Sequence, residues 1–243
     1  MQSHKDHPEY GARPWFRVAA KDGKNGDVLI YDEIGAGFFG GGITPENLFK
    51  EISALKLGVN DTLTVHINSP GGSFFDGNAI HNNLRTVKAK VVVRIDGVAA
   101  SAASIVAMAG DRIEMPANSM LFIHNPWMLV AGDAHVMRKA AERLDGYHDN
   151  ALGTYLRRSG EKLTREALEK MMDNGGEGTW LSAEDSVKHG LADVVDEPVR
   201  AAALAQFDFS KFGIPVPQAI ASAKDALADA KRKQRERLKL LNT

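Results

Sequence analysis

The chain has 243 residues, of which 44% are hydrophobic and 25% charged, close to the averages of folded globular proteins. These proportions exclude an intrinsically disordered chain, a collagen and a coiled-coil rod. Thirty Lys and Arg against 31 Asp and Glu leave a formal net charge of −1, so no net positive charge attracts nucleic acid. The absence of cysteine excludes disulfides, thiolate catalysis and Cys-based metal sites.

Three regions differ in composition. Residues 1–13 are mostly polar, contain Pro8 and Gly11, and are predicted to form a flexible N-terminal arm. Residues 14–200 are predicted to form one domain, and residues 201–243 a C-terminal tail with a charged helix whose run KRKQRER is typical of a solvated helix end. No signal-peptide h-region and no apolar run of about 18 residues occurs, so we expect a cytoplasmic protein without a membrane partner.

Strand and helix signals alternate through the predicted domain. Runs rich in apolar and β-branched residues predict strands at 15–20, 27–34, 63–67, 90–96, 112–115, 120–124 and 191–195. Helical periodicity and capping residues predict helices at 44–55, 74–87, 101–109, 133–158, 164–172 and 182–190. This alternation favours an α/β fold with parallel strands.

A first candidate functional segment is the turn INSPGG, which ends the strand at 63–67. Its two adjacent glycines, Gly71 and Gly72, tolerate positive φ and allow another backbone to approach closely. Free N–H groups in such a turn are suited to hold a developing negative charge, as an oxyanion hole requires. An ordinary turn explains the segment equally well when it is taken alone.

A second segment, DGVAASAAS, joins an apolar strand to a helix through very small residues. Ser101 lies at the predicted helix start, and the N–H of Ala102 just after it is a candidate oxyanion donor. A serine at such a position more commonly only caps the helix. Ser104, one turn later, is predicted to face the core and is the weaker nucleophile candidate.

A third segment, MLFIHNPW, is an apolar strand that ends in His124. Histidine can accept and return a proton near neutral pH, so beside a serine and a glycine pair a general base is the favoured interpretation. His66 is the rival histidine, but it alternates with apolar neighbours and is predicted to lie on a strand face.

Taken in order, INSPGG, GVAASAAS, FIHNPW and TWLSAEDSVKHGLAD resemble the Clp protease proteolytic subunit (ClpP) family over about residues 27–196. The resemblance implies an α/β fold of the ClpP/crotonase type, with repeated β-β-α units and a protruding helical handle. The flanking sequences KAKVVVRIDGVAAS, IHNPW and TWLSAED are most similar to the ClpP-type head maturation proteases of tailed phages and prophages. The implied activity is that of a serine endopeptidase, without a cofactor or metal, acting on capsid or scaffold proteins.

The resemblance assigns four site residues by position. Ser101 matches the nucleophile of the family and His124 its general base. Gly72 and Ala102 match its two backbone oxyanion donors.

The third member of the triad is where the sequence departs from the family. Gly178 occupies the position of the usual acid, two residues before the aromatic of TWLSA. The neighbouring Glu177 is the predicted replacement, since flanking glycines would let the loop bulge toward His124. Asp173 is the second candidate, and a Ser–His pair without a carboxylate is the third interpretation, because a carboxylate is not strictly required to orient the imidazole.

The family also implies partners. A protein or peptide substrate would lie along residues 127–132 as an added strand, and the long helix at 133–158 would serve as the handle that packs subunit rings together. The expected assembly is therefore a homo-oligomeric ring that binds neither nucleic acid nor membrane. Whether an ATP-dependent unfoldase docks on it is left open.

Two other functions remain possible from the sequence. A crotonase-like acyl-CoA enzyme would use the backbone N–H pair to hold a thioester enolate and would not need the serine and histidine. A catalytically degenerate capsid-assembly component is compatible with Gly178 in place of the acid.

Overall fold

The computed structural model describes residues 16–20, 24–36, 42–198 and Pro215, and strands and helices alternate along most of that length. The predicted arm at 1–13 and nearly all of the tail at 201–243 lie outside the described residues. The strands are β1 (Phe16–Ala20), β2 (Asn25–Ile30), β3 (Thr62–Ser69), β4 (Lys90–Ala100), β5 (Arg112–Pro116), β6 (Met120–Ile123), β7 (Thr179–Ser182) and β8 (Val194–Asp196). The helices are α1 (Pro45–Ala54), α2 (Phe74–Arg85), α3 (Ala102–Ala107), α4 (Ala134–Ser159), α5 (Arg165–Asp173) and α6 (Ala183–Lys188), with 3₁₀ turns at Gly160–Lys162 and Asn174–Gly176.

All eight strands belong to one sheet, in the order β1-β2-β3-β4-β5-β8, with β6 paired to β4 and β7 paired to β6. The pairs between β2 and β3, β3 and β4, β4 and β5, β4 and β6, and β5 and β8 are parallel, as the strand–helix alternation predicted. The pairs β1–β2 and β6–β7 are antiparallel. β1 leads directly into β2, as the short connection of an antiparallel pair allows, whereas β7 returns to pair with β6 after the helices α4 and α5.

β4 changes partner along its length, and this change positions the site. Its first half pairs with β5 through Val92–Arg94, whereas its last residues Val98–Ala100 pair with β6. The strand is longer than the predicted 90–96 because pairing with β6 keeps the small residues after Asp96 extended. Two parallel strands, β4 and β6, therefore end side by side at one edge of the sheet.

Apolar side chains on one face of the sheet form the core with α1, α2 and α3. Residues alternate between buried and half-buried along β2, β3 and the first half of β4, which is the pattern of a sheet with one fully covered face. Helices α1 and α2 begin at Thr44 and Ser73, whose hydroxyls accept hydrogen bonds from the N–H groups of Asn47 and Asp76. Thr44 was predicted as such a cap.

Helix α4 extends away from this core, as the predicted handle does. Most side chains of residues 134–150 are exposed, whereas Ala151, Leu152 and Tyr155 are buried. Ala140 is the buried exception in the first half, so the helix packs mainly through its second half. Within the described residues, no helix combines the length and the apolar character that crossing a bilayer would need.

Candidate active site

Ser101 and His124 meet at the shared edge where β4 and β6 end. Ala100, the last residue of β4, pairs with Phe122 of β6, and the N–H of Ser101 donates to the Phe122 carbonyl at 3.0 Å. The two side chains that follow these strands consequently face each other, and Ser101 Oγ lies 2.7 Å from Nε2 of His124. This is the separation of a hydrogen bond and the geometry of a nucleophile beside its general base.

The backbone of Ser101 is held in an unusual conformation. Its φ of 53° and ψ of −126° lie in a region that residues other than glycine rarely adopt. Such a conformation costs of the order of 1–3 kcal/mol and is typical of residues whose position matters for function. It marks the sharp turn from β4 into α3, which presents the hydroxyl at the edge of the sheet.

The glycine turn predicted from INSPGG lies directly against the serine turn. A Cβ added at Gly71 would lie 2.5 Å from the carbonyl oxygen of Ala100 and 2.7 Å from Cβ of Ser101. Gly71 has a φ of +95°, so neither space nor conformation admits a side chain there. Sequence reasoning anticipated this close approach of two backbones.

Buried polar side chains hold the glycine turn in place. The Asn68 amide oxygen accepts the N–H of Val98 at 3.2 Å, and the hydroxyl of Ser69 donates to the carbonyl of Asp32 at 2.6 Å. Both side chains are fully buried. Ile34 brackets the turn, because its N–H donates to the Gly71 carbonyl at 2.7 Å and its own carbonyl accepts the N–H of Ser73 at 2.9 Å.

Gly72 and Ala102, the predicted oxyanion donors, lie near the predicted serine and histidine. Both line the same cavity as Ser101 and His124. Among the described residues, neither the N–H of Gly72 nor that of Ala102 donates to a protein acceptor. Two unpaired amides beside a nucleophile can bind an anionic oxygen.

The His124 ring is buried and stacked on Phe122. The two ring centroids are 5.1 Å apart with an interplanar angle of 28°. On its other contact, the Phe122 ring centroid lies 4.7 Å from that of Trp180. Burial lowers the pKa of His124 to about 4, because a charged imidazolium would lose its hydration there. At pH 7 the imidazole is therefore neutral and able to accept a proton.

The structure does not bring Glu177 or Asp173 to His124. Both acidic side chains are exposed, and within the described residues no hydrogen bond or ion pair joins the His124 ring to a carboxylate. The expected bulge of the loop does not form, because Asn174 Nδ2 donates to the Gly178 carbonyl at 2.7 Å and ties the loop to the end of α5. The predicted serine and histidine are united, and the predicted acid stays apart from them.

A mostly apolar cavity opens beside the serine and histidine. Its volume is about 300 Å³, and its wall includes Phe74, Phe75, Ile105, Trp127, Tyr147 and Tyr155. Phe75 and Trp127 are more than half exposed at 61% and 52%, so the cavity opens to solvent. This volume is at the lower end of small-ligand pockets and suits one side chain of a bound chain.

His66, the rival histidine, belongs to a separate polar cluster on the sheet. Its Nδ1 lies 2.8 Å from Oδ2 of Asp96. The Tyr31 hydroxyl donates to the same oxygen, and Arg94 forms an ion pair with the other carboxylate oxygen, Oδ1. This arrangement satisfies the charge of one carboxylate. In addition, no group of three or more potential metal ligands occurs among the described residues.

Sequence reasoning missed the roles of two side chains at the site, Tyr155 and Phe122. Ser104 is buried as predicted, but its hydrogen bond to the hydroxyl of Tyr155, at 2.6 Å, was not foreseen. A tyrosine on the buried face of α4 needs a partner for its hydroxyl, and that requirement was the available signal. Phe122 gave no such signal, because its stacking on His124 depends on the register of β6.

Two comparisons with known proteins bear on the family and the fold of the chain. The family model "Clp protease" matches residues 43–198. A solved structure of a ClpP1 mutant from Listeria monocytogenes is 23% identical, covers 70% of this chain and 91% of its own, and superposes with a TM-score of 0.57. This likeness confirms the predicted fold.

Proposed function

The chain belongs to the Clp protease family, and from that premise we propose that it is a serine endopeptidase with Ser101 as nucleophile and His124 as general base. The family implies a peptidase, and its members form oligomeric rings that bind protein substrates. The observation that carries the assignment of residues is the 2.7 Å contact between Ser101 Oγ and His124 Nε2.

The proposed reaction begins with attack of Ser101 Oγ on a substrate carbonyl carbon while Nε2 of His124 takes the hydroxyl proton. The carbonyl π electrons move onto oxygen, and the N–H groups of Gly72 and Ala102 stabilise the resulting oxyanion. Collapse breaks the C–N bond, and His124 returns the proton to the leaving amine. Water, deprotonated by His124, then hydrolyses the acyl-enzyme in the same manner.

We propose that packing, rather than a carboxylate, orients the imidazole. Stacking on Phe122 fixes the plane of the ring, and the hydrogen bond to Ser101 fixes which nitrogen faces the nucleophile. A carboxylate mainly holds the imidazole in the productive tautomer and stabilises the imidazolium. A Ser–His pair without one is therefore expected to work, at a reduced rate.

The cavity beside Ser101 supports a preference for apolar side chains next to the cleaved bond. Its wall is aromatic and aliphatic, with Phe74 stacked on Tyr147 at 5.5 Å and Ile105 close by. Burying an apolar side chain there contributes about 1.5–3 kcal/mol of binding, whereas a charged one would lose its hydration.

For the biological role we propose processing of phage capsid or scaffold proteins by a ring-shaped homo-oligomer. The resemblance of KAKVVVRIDGVAAS, IHNPW and TWLSAED to head maturation proteases supports this substrate class. The handle-like α4 supports assembly, since Val136 and Met137 near its start are exposed apolar residues. Sizing by light scattering tests the ring, and co-expression with a head scaffold protein tests the substrate.

The activity itself is tested by hydrolysis of fluorogenic peptides with an apolar or an acidic residue before the cleaved bond. The expected result is turnover of the apolar peptide by the wild-type chain and loss of turnover in Ser101→Ala. A catalytically degenerate capsid-assembly component would hydrolyse neither peptide.

A further inference from the structure

The carbonyl of Ser101 is held more firmly than a helix start requires. It accepts the N–H of Ser104 at 2.9 Å and also the hydroxyl of Ser104 at 2.5 Å. The hydroxyl has one hydrogen, so the bond of 2.6 Å between Ser104 Oγ and the Tyr155 hydroxyl must be donated by Tyr155. A chain of hydrogen bonds therefore runs from Tyr155 through Ser104 to the carbonyl of Ser101.

This chain acts on the amide that follows. The carbonyl of Ser101 and the N–H of Ala102 belong to one planar trans peptide, in which the two groups point in opposite directions. Fixing the carbonyl toward Ser104 therefore fixes the N–H of Ala102 in the other direction. Ala102 lines the cavity, and its N–H donates to no acceptor in the described residues.

We propose that Tyr155 and Ser104 are positioning residues that aim the Ala102 N–H at the oxyanion and keep Ser101 in its unusual backbone conformation. Both side chains are suited to this role because Ser104 is fully buried and Tyr155 is 2% exposed, so water does not compete for their hydrogen bonds. Tyr155 comes from α4, and the long helix is thereby connected to the alignment of the site. The inference rests on the proposed peptidase function and extends it to two residues outside the Ser–His pair.

The test compares Tyr155→Phe, Ser104→Ala and the double variant with the wild-type chain. In each single variant we expect kcat to fall by about tenfold, and the rate of inactivation by a small alkyl fluorophosphonate to fall equally. The expected loss is smaller than for removal of a donor, because a misaligned N–H still stabilises the oxyanion in part. KM should change by less than about twofold, because the effect concerns the transition state. The double variant should be no slower than the slower single variant, since both act through one hydrogen-bond chain.

Thr154→Val is the matched control. It removes a buried hydroxyl from the neighbouring position of α4, where the hydroxyl donates to the Asn150 carbonyl at 3.2 Å and not toward Ser101. Its kcat and inactivation rate should stay within about twofold of wild type. Thermal melting of all variants separates rate effects from unfolding, and Ser104→Ala carries the test if Tyr155→Phe does not fold.

Two negative results are distinguishable. If the wild-type chain reacts with the fluorophosphonate and both single variants react at the wild-type rate, the positioning role is wrong and the peptidase proposal stands. If the wild-type chain neither reacts nor cleaves peptides, the proposed function is wrong and the positioning role is refuted with it.

Discussion

Gly178 lies against His124 so closely that a Cβ at Gly178 would be 2.5 Å from Cβ of His124. The same Cβ would be 2.7 Å from the carbonyl oxygen of Ile123, and Gly178 has a φ of +71°. In the family that this sequence resembles, the usual acid occupies this position. Here the backbone conformation and the neighbouring atoms leave no room for a side chain. The glycine is part of the packing that places the imidazole.

Introducing the acid by Gly178→Asp is therefore expected to damage the site and not to complete a triad. Overpacking and the positive φ together should destabilise the fold by about 2–4 kcal/mol and lower kcat/KM. Gly175→Asp is the matched control, since Gly175 has the same φ of +71° but nothing within 4 Å of an added Cβ. Thermal melting and peptide hydrolysis of the two variants are compared, and a gain of activity in Gly178→Asp would contradict this interpretation.

Glu177→Gln is expected to keep kcat/KM within about threefold of wild type, because in the described part of the chain the exposed Glu177 forms no hydrogen bond or ion pair with His124. Asp173→Asn should behave in the same way. The measurement is steady-state hydrolysis of the apolar peptide at pH 7. A loss of a thousandfold or more in either variant would identify that residue as the acid that orients the imidazole.

Burial of His124 predicts the acidic limb of the pH–rate profile. Its pKa is lowered to about 4, so the imidazole stays neutral, and active as a base, well below the usual value of 6.5. We expect kcat/KM to fall only as the pH drops through about 4. The same group binds fewer protons in the folded than in the unfolded chain, so its contribution to stability is complete above pH 6.5 and is lost as the pH falls toward 4.

The pH dependence is measured as kcat/KM together with thermal melting from about pH 3 to about pH 8, so that unfolding is not mistaken for protonation. An acidic limb centred near 6.5, in a chain that is still folded, would show that His124 is solvated in the active form. His124→Ala supplies the baseline for both measurements.

Gly72→Ala tests the glycine turn. An added Cβ would lie 2.2 Å from the carbonyl oxygen of Ile34, so the turn must move and take the Gly72 N–H out of position. Loss of one oxyanion donor corresponds to about a hundredfold or greater reduction in kcat. Gly176→Ala is the control, because Gly176 also has a positive φ, +88°, but open space around it. Unchanged kcat in a folded Gly72→Ala would exclude Gly72 as a donor.

Part of this site followed from the sequence because of a general rule of parallel sheets. Strands that run side by side in the same direction place the residues after their carboxyl ends at one edge, so Ser101 and His124 were predictable as neighbours once both were placed after strands. The glycine turn was predictable because glycine tolerates positive φ readily and, without a Cβ, leaves room for another backbone.

Other features depended on contacts between distant segments. β7 was missed, since only its last residue, Ser182, was assigned, as a helix start, and Thr179–Ser182 becomes a strand only by pairing with β6. The position of Glu177, by contrast, depended on a hydrogen bond within its own loop, from Asn174 to the Gly178 carbonyl, which the sequence pattern did not signal. The bond from Tyr155 to Ser104 joins residues 51 positions apart.

Site mapping with a fluorophosphonate tests the central claim most directly, since such reagents react with a serine hydroxyl that a neighbouring base activates. We expect one adduct per chain, located by peptide mass spectrometry on Ser101, absent in Ser101→Ala and formed at least about a thousandfold more slowly in a folded His124→Ala. An adduct on another residue, no adduct at all, or equal rates with and without the His124 imidazole would contradict it.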